Sequence, residues 1–252
     1  MISFSDKLKI IVKKNNSLLC VGLDQSHFSF NKKIIDQTFD LVCAYKPNSA
    51  FYEAEGAKGI EELKKTCDYL RKNHPEIVII LDAKRADIGS TNEGYVKYAF
   101  DYLGVDAITL HPYLGSEAIK PFLERKDKGC IVLVRTSNPG AEEFQDLKVG
   151  KKLFYEVVAE RIYKYWGKNC LMVCGATYPH ELKKIRKIAP DVWFLVPGIG
   201  AQGGDVEKTV KAGINKDGEG IIVNSSRGII FASNPREEAE RLKNEINKFR
   251  YS

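Results

Sequence analysis

Three charged residues, Asp82, Lys84 and Asp87, follow an apolar run in the first half of the chain. Alternate residues of a β-strand point to the same face, so we expect Asp82 and Lys84 to project together from the end of a strand. Asp87 follows three residues later, just past the expected strand end. Charged groups at the tip of a buried strand are costly to desolvate, and they are usually paired or functional. The spacing therefore predicts a catalytic or binding site.

Short apolar runs alternate with longer amphipathic segments along the whole chain. This alternation is typical of buried parallel strands covered by helices. Eight such units predict an α/β fold, a single (β/α)8 TIM barrel over residues 1–252, with an extra N-terminal helix at 4–14. An open doubly wound sheet is the main alternative, but no G-x-G-x-x-G segment follows the first run. The predicted strands are 18–23, 41–45, 77–81, 107–110, 130–134, 170–174, 193–196 and 220–223.

Polar residues also follow other apolar runs, and in such a barrel these strand ends meet at one mouth. Asp24 follows the first run, Lys46 follows the second, and Ser137 follows the fifth. Each has a simpler interpretation by itself: Asp24 could cap a following turn, and Lys46 could extend into solvent. Two lysines and two aspartates at successive strand ends together favour a charged site.

The segments after the last two runs predict a phosphate site. The seventh run is followed by P-G-I-G-A-Q-G-G-D at 197–205, and the eighth by N-S-S-R-G at 224–228. TIM barrels frequently bind a phosphate with these two loops. Glycines let backbone N–H groups approach an anion, and Arg227 can add a bidentate contact. The simpler interpretation is that the glycines only form tight turns and that Arg227 lies on the surface.

Composition excludes several classes of partner and cofactor. The net charge is +6, and no basic run is dense enough to predict nucleic-acid binding. The six cysteines form no C-x-x-C pair and the four histidines have no H-x-H or H-E-x-x-H spacing, so we expect neither a metal site nor disulfides. Reduced thiols fit a cytoplasmic protein. No apolar stretch approaches the roughly 20 residues of a membrane span, and the N-terminus lacks a secretory pattern.

The sequence resembles the orotidine 5'-phosphate decarboxylase family, whose members make UMP in pyrimidine biosynthesis. The D-x-K-x-x-D core at 82–87 is shared with sugar-phosphate lyases of the same superfamily, but the S-N-P-G-A segment at 137–141 and the glycine-rich loop make the match specific. The K-P-N and N-S-S-R segments resemble the branch found in many bacteria. The resemblance implies decarboxylation of orotidine 5'-monophosphate to UMP and carbon dioxide, without a metal or an organic cofactor.

The resemblance also implies roles for the charged residues. Lys84 would donate a proton to the ring carbon that loses carbon dioxide, and Asp82 would lie against the substrate carboxylate. Lys46 would bridge Asp82 and the ribose. Asp87 and Thr91 would reach into the partner subunit's site, which implies a homodimer.

The remaining residues of the matching segments would bind substrate. Asp24 would bind a ribose hydroxyl, and Ser137 would meet the pyrimidine edge. Gln202 and Arg227 would hold the phosphate beneath a closing glycine loop. Ser226 stands where shorter members have glycine before the arginine. The complete set of expected substrate-binding residues is Asp24, Ile88, Thr91, Ser137, Pro197, Gln202, Ser226 and Arg227.

Two other functions remain open from the residues alone. A metal-dependent sugar-phosphate lyase would share the D-x-K-x-x-D core but would need magnesium ligands, for which Glu53 and Glu55 are the nearby candidates. A phosphate-binding barrel without catalytic activity is the third possibility. The paired lysines and aspartates argue against it, because a binder has no need for two desolvated lysines.

Overall fold

Eight parallel strands close into a barrel in the computed structural model, which describes residues 2–199 and 203–250. Going round the barrel, the order is β1, β2, β3, β4, β5, β8, β9 and β10, and β10 pairs with β1 to close the ring. This closure confirms the predicted (β/α)8 barrel and excludes the open sheet. The barrel strands are β1 (Leu19–Leu23), β2 (Ala44–Pro47), β3 (Val78–Arg85), β4 (Ala107–Leu110), β5 (Gly129–Arg135), β8 (Cys170–Cys174), β9 (Phe194–Pro197) and β10 (Ile221–Ser225).

Helices follow the strands along the chain, and their apolar faces pack on the barrel. Two of them continue into a π-helical turn, at Lys97–Tyr102 after α5 and at Ile162–Trp166 after α9. The helices are α1 (Phe4–Asn15), α2 (Phe28–Thr38), α3 (Ser49–Glu53), α4 (Gly56–Asn73), α5 (Gly89–Val96), α6 (Gly115–Ala118), α7 (Lys120–Leu123), α8 (Glu142–Gln145), α9 (Phe154–Arg161), α10 (Pro179–Ile188), α11 (Val206–Gly213), α12 (Arg227–Ile230) and α13 (Pro235–Arg250).

All eight apolar runs contribute to barrel strands, but one predicted helix begins later than its pattern indicated. The sequence predicts a helix over 150–166, whereas α9 begins only at Phe154. A short antiparallel pair, β6 (Lys148–Val149) and β7 (Lys152–Leu153), precedes it. Gly150 lies in the turn between these strands with φ of 63°, a left-handed conformation that a glycine adopts without strain. The segment before α9 is therefore a hairpin.

The predicted N-terminal helix is confirmed as α1, and it lies across the amino ends of the barrel strands. Its inner face is buried through Phe4 and three aliphatic residues of the next two turns. Lys7 Nζ lies 2.9 Å from Asp106 Oδ1, just before β4, and Lys14 Nζ lies 2.7 Å from Glu76 Oε1, just before β3. Because this end is covered, the opposite end, where the polar strand termini meet, is the accessible one.

Burial along the strands follows the same division between the two ends. Every residue of β1, β2, β8 and β10 is buried, whereas β3 changes from buried to partly exposed after Asp82. The barrel interior is thus an apolar core that becomes polar at the carboxyl ends of its strands, as in other TIM barrels. None of the helices in the described part of the chain is long and apolar enough to cross a membrane.

Candidate active site

A cavity of about 710 Å³ opens at the carboxyl ends of the barrel strands. Residues of β2, β3, β4, β5, β8, β9 and β10 and of the segments after β1, β5 and β10 line it, so side chains far apart in sequence face a common space. Most of the site residues predicted from the sequence meet there. Those that line the cavity are Asp24, Lys46, Asp82, Lys84, Ser137, Pro197, Ser226 and Arg227.

Asp82 lies between two ammonium groups at the base of the cavity. Lys46 Nζ donates to Asp82 Oδ2 at 2.9 Å, and Lys84 Nζ donates to Asp82 Oδ1 at 2.6 Å. The Lys46 side chain is only 5% exposed, whereas that of Lys84 is 49% exposed. Lys46 therefore supports the carboxylate from within the barrel, while Lys84 presents its ammonium group to the cavity.

The two lysines keep Asp82 ionised. Burial alone raises the pKa of the Asp82 carboxyl, but the charges of Lys46 and Lys84 outweigh burial and hold that pKa well below its usual range. Burial likewise disfavours the ammonium form of Lys46, yet Asp82 and then Asp24 raise the pKa of Lys46 above its usual value. The site therefore holds a fixed row of alternating charges.

The end of β3 departs from regular strand geometry at Lys84, where φ is +47°. The pairing of β3 with β4 shifts register between Leu81 and Arg85. Thr109, near the end of β4, faces this irregular segment and donates a hydrogen bond of 2.9 Å to Asp82 Oδ1. Sequence reasoning missed Thr109. A threonine within a strand is common, so the sequence carried no signal that singled it out.

Asp24 lies at the β1 side of the cavity, beside Ser226. The Ser226 hydroxyl donates to Asp24 Oδ2, and the carbonyl oxygen of Gly22 lies 3.3 Å from the same Oγ. A Cβ on Gly22 would lie 2.7 Å from Ser226 Oγ, so the close approach of these two segments requires glycine. Asp24 Oδ1 is buried and has no hydrogen-bond partner within the described residues. It is therefore free to accept a hydrogen bond from a ligand hydroxyl.

The loop after β5 is held in place by Gln145, which sequence reasoning also missed. Gln145 Oε1 accepts from the backbone N–H of Thr136 at 2.9 Å, and its Nε2 donates to Thr136 Oγ1 at 2.8 Å. Arg135, at the end of β5, is buried and pairs with Asp146 at 3.1 Å. These contacts fix the backbone beside Ser137, which faces the cavity. Gln145 and Asp146 belong to the α8 segment, where no charge pattern indicated a role.

Pro197, Gly198 and Arg227 line the cavity at the ends of β9 and β10. Arg227 is exposed at the rim and begins α12. Gly198 has φ of 110° and Gly203 has φ of 78°, so both glycines adopt conformations that other residues rarely adopt. The predicted phosphate ligand Gln202 lies outside the described residues.

Asp87, Ile88 and Thr91 do not line this cavity. Asp87 Oδ1 accepts a hydrogen bond of 2.7 Å from the backbone N–H of Ile88, ahead of α5. Ile88 is 60% exposed, and Thr91 is exposed on the first turn of α5. The structure thus separates the third charge of the D-x-K-x-x-D segment from the first two.

The suggested magnesium ligands, Glu53 and Glu55, are both exposed, and Glu53 pairs with Arg85. Over residues 2–199 and 203–250, the structure brings together no group of three His, Cys, Asp or Glu residues that could hold a metal ion.

The fold and the site define a TIM barrel with a charged cavity at the carboxyl ends of its strands. The model of the orotidine 5'-phosphate decarboxylase / HUMPS family matches residues 17–242. Orotidine 5'-phosphate decarboxylase from Cellvibrio japonicus is 45% identical over 96% of this chain and 94% of its own length. The chain therefore belongs to the orotidine 5'-phosphate decarboxylase / HUMPS family.

Solved structures agree with this assignment. Leishmania donovani OMP decarboxylase superposes with a TM-score of 0.93 at 41% identity, and the match covers all of both chains. Leishmania donovani UMP synthase superposes with a TM-score of 0.95 at 43% identity. That match covers all of this chain but 57% of the UMP synthase chain.

The lowered pKa of Asp82 predicts how its contribution to stability depends on pH. Because the folded pKa lies below the unfolded value of about 3.9, the contribution is complete above that pH and declines as pH falls towards the folded pKa. Asp82→Asn should lower the free energy of unfolding by about 3 kcal/mol at pH 7, since it leaves Lys46 buried without its closest partner. The difference in the free energy of unfolding between wild type and Asp82→Asn should become smaller below about pH 4.

Urea unfolding at pH 7 and pH 3 measures this difference. Asp68→Asn is a suitable control, because the Asp68 side chain is 58% exposed and its pair with Lys64 contributes at most about 1 kcal/mol. If the free energy of unfolding differs between wild type and Asp82→Asn by as much at pH 3 as at pH 7, or by more, the lowered pKa of Asp82 is contradicted.

Proposed function

We propose that this protein decarboxylates orotidine 5'-monophosphate to UMP and carbon dioxide. The observation that carries the proposal is the row of Lys46, Asp82 and Lys84 in the cavity of a barrel that belongs to this family. Relatives that match nearly the full chain are named for this activity. That name favours the decarboxylase over the sugar-phosphate lyase that shares the D-x-K-x-x-D core.

In the proposed reaction, the bond between the pyrimidine ring and its carboxylate breaks, and its electron pair stays on the ring carbon. Carbon dioxide leaves, and Lys84 donates a proton to that carbon. The Lys84 ammonium group can stabilise the negative charge as it develops because Asp82 already fixes its position, at 2.6 Å. A group that is oriented before the reaction needs no reorganisation during it.

Asp82 contributes through its charge. Lys46 and Lys84 keep the Asp82 pKa low, so the carboxylate stays ionised when a second carboxylate enters the cavity. Repulsion between the two negative charges is relieved when the substrate carboxylate leaves as neutral carbon dioxide. Lys46 offsets the burial of Asp82, and we assign to it a second contact, with the ribose.

The rest of the cavity suits a nucleoside monophosphate. Asp24 offers an unpaired carboxylate oxygen to a ribose hydroxyl, and Ser137 lies on the fixed loop that we assign to the pyrimidine edge. Arg227, Ser226 and Pro197 form the side that we assign to the phosphate, together with Gln202. Binding energy from the phosphate, remote from the reacting carbon, supports the chemical step.

We further propose that the enzyme acts as a homodimer in which Asp87, Ile88 and Thr91 contribute to the partner subunit's site. Three observations support this arrangement. These residues do not line the cavity of their own chain, and Ile88 is 60% exposed although it is aliphatic. Tyr113, which is 85% exposed, and Leu114, which is 42% exposed, add apolar surface after β4.

We also propose that the enzyme is located in the cytoplasm, which its six free and buried cysteines support.

Lys84→Ala should lower kcat for orotidine 5'-monophosphate by about 1,000-fold or more, because it removes both the proton donor and the stabilising charge. The fall in orotidine absorbance measures the rate, and UMP binding reports that the cavity is intact. Lys211→Ala, on the exposed face of α11, is the control and should keep the wild-type rate. A rate for Lys84→Ala within tenfold of wild type contradicts the proposed mechanism.

Mixing two inactive variants tests the contribution across the dimer. Asp87→Asn and Lys84→Ala subunits, unfolded together and refolded, should form hybrids with one intact site, because a Lys84 site then receives an intact Asp87 from its partner. Random pairing should restore about one quarter of wild-type activity, since half of the dimers are hybrids with one of two sites working. Activity far below one quarter contradicts the proposal that Asp87 acts in the partner's site. If Asp87 acted in its own subunit's site, each site of a hybrid would carry one defect.

A further inference from the structure

The irregular end of β3 brings two successive backbone N–H groups to one side chain. β3 pairs in register with β4 through Leu81 opposite Ile108, and pairing resumes with Arg85 opposite Leu110. Four steps along β3 thus match two along β4. Inside this bulge, the N–H groups of Ala83 and Lys84 both donate to Thr109 Oγ1, at 3.0 and 2.9 Å.

These bonds fix the direction of the Thr109 hydroxyl hydrogen. A hydroxyl group has one hydrogen to donate and two lone pairs to accept with. Both lone pairs are taken by the backbone N–H groups, so the hydrogen points to the third neighbour, Asp82 Oδ1, at 2.9 Å. Thr109 is 1% exposed, so water does not compete for these bonds. The hydroxyl group is therefore fully used and can only donate to Asp82.

This arrangement connects the two groups on which the proposed reaction depends. Lys84 has φ of +47°, a left-handed conformation that is strained for a residue with a side chain and persists only when its surroundings hold it. Thr109 binds the N–H group of that residue, and the same oxygen atom donates to the carboxylate that orients the Lys84 ammonium group.

We propose that Thr109 is a positioning residue for the decarboxylation, one that sets the geometry of Asp82 and Lys84 through its hydroxyl group. This inference rests on the proposed function. Thr109 acts on the two groups assigned to the reacting carbon, whereas the phosphate is assigned to residues of β9 and α12 and a ribose hydroxyl to Asp24, which follows β1. Loss of its hydroxyl should therefore affect kcat far more than KM.

The test compares Thr109→Val, which keeps the shape but removes the hydroxyl, with Thr109→Ser, which keeps the hydroxyl. Thr109→Val should lower kcat by about 10- to 100-fold, with KM changed less than about threefold. Thr109→Ser should stay within about threefold of the wild-type kcat. UMP binding by each variant shows that the cavity is folded.

Thr38→Val is the matched control for loss of a buried threonine hydroxyl. Thr38 is 0% exposed, and its Oγ1 bonds to the Ile34 carbonyl oxygen and the Tyr45 hydroxyl at 2.7 Å each, away from the cavity. The Thr38→Val variant should have a lower free energy of unfolding than wild type but an unchanged kcat.

Three results would overturn the inference: a Thr109→Val kcat within threefold of wild type, no rescue by Thr109→Ser, or an equal loss of kcat in Thr38→Val. If Thr109→Val does not fold, Thr109→Ser is the deciding variant. A tenfold lower kcat in Thr109→Ser, which keeps the hydroxyl, would exclude positioning by the hydroxyl group. Wild-type protein that fails to decarboxylate orotidine 5'-monophosphate would instead refute the proposed function, so the two failures are distinguishable.

Discussion

The ionised carboxylate of Asp82, held between two ammonium groups, is the interaction on which the site depends. Lys46 is almost fully buried, and a buried ammonium group is stable only with a counter-charge at close range. Asp82 provides that charge and also fixes Lys84 at the cavity surface. Lys46 could not stay buried and charged without the carboxylate, and the carboxylate could not stay ionised at that depth without the lysines.

The barrel separates the structures that provide stability from those that provide chemistry. At the amino ends of the strands, α1 covers the core with buried apolar side chains and ion pairs such as Lys7 with Asp106. At the carboxyl ends, β3 contains a register shift and a left-handed residue, Lys84. Strain of this kind is tolerated because the two neighbouring strands, β2 and β4, are buried along their whole length and hold the irregular segment.

The barrel and the centre of the site could be predicted from the sequence for different physical reasons. Buried parallel strands must be apolar throughout, so each strand left a continuous run that could be counted. Asp82, Lys84 and Lys46 were recognisable because charges next to such runs are energetically unusual. Thr109 gave no such signal, because threonine is common in strands and its role appears only when the bulge in β3 brings two N–H groups to its oxygen.

Other residues depend on structure that local patterns do not determine. The role of Gln145 follows from the fold of a segment between β5 and α9, where it bonds Thr136. The position of Asp87 outside its own cavity depends on how the chain turns after β3, and its proposed role depends on a second subunit. The resemblance to a known family supplied that role, whereas charge spacing alone suggested one local group of three.

The most direct measurement is the ionisation state of Asp82, followed by the ¹³C chemical shift of its side-chain carboxyl carbon between pH 4 and pH 9. The signal is assigned by its disappearance in Asp82→Asn. The account predicts that it stays at the carboxylate position over the whole range, because Lys46 and Lys84 hold the pKa well below it. A titration step within this range, or a signal at the position of the protonated acid, would contradict the central claim that two ammonium groups hold a permanent negative charge on Asp82 at the base of the cavity.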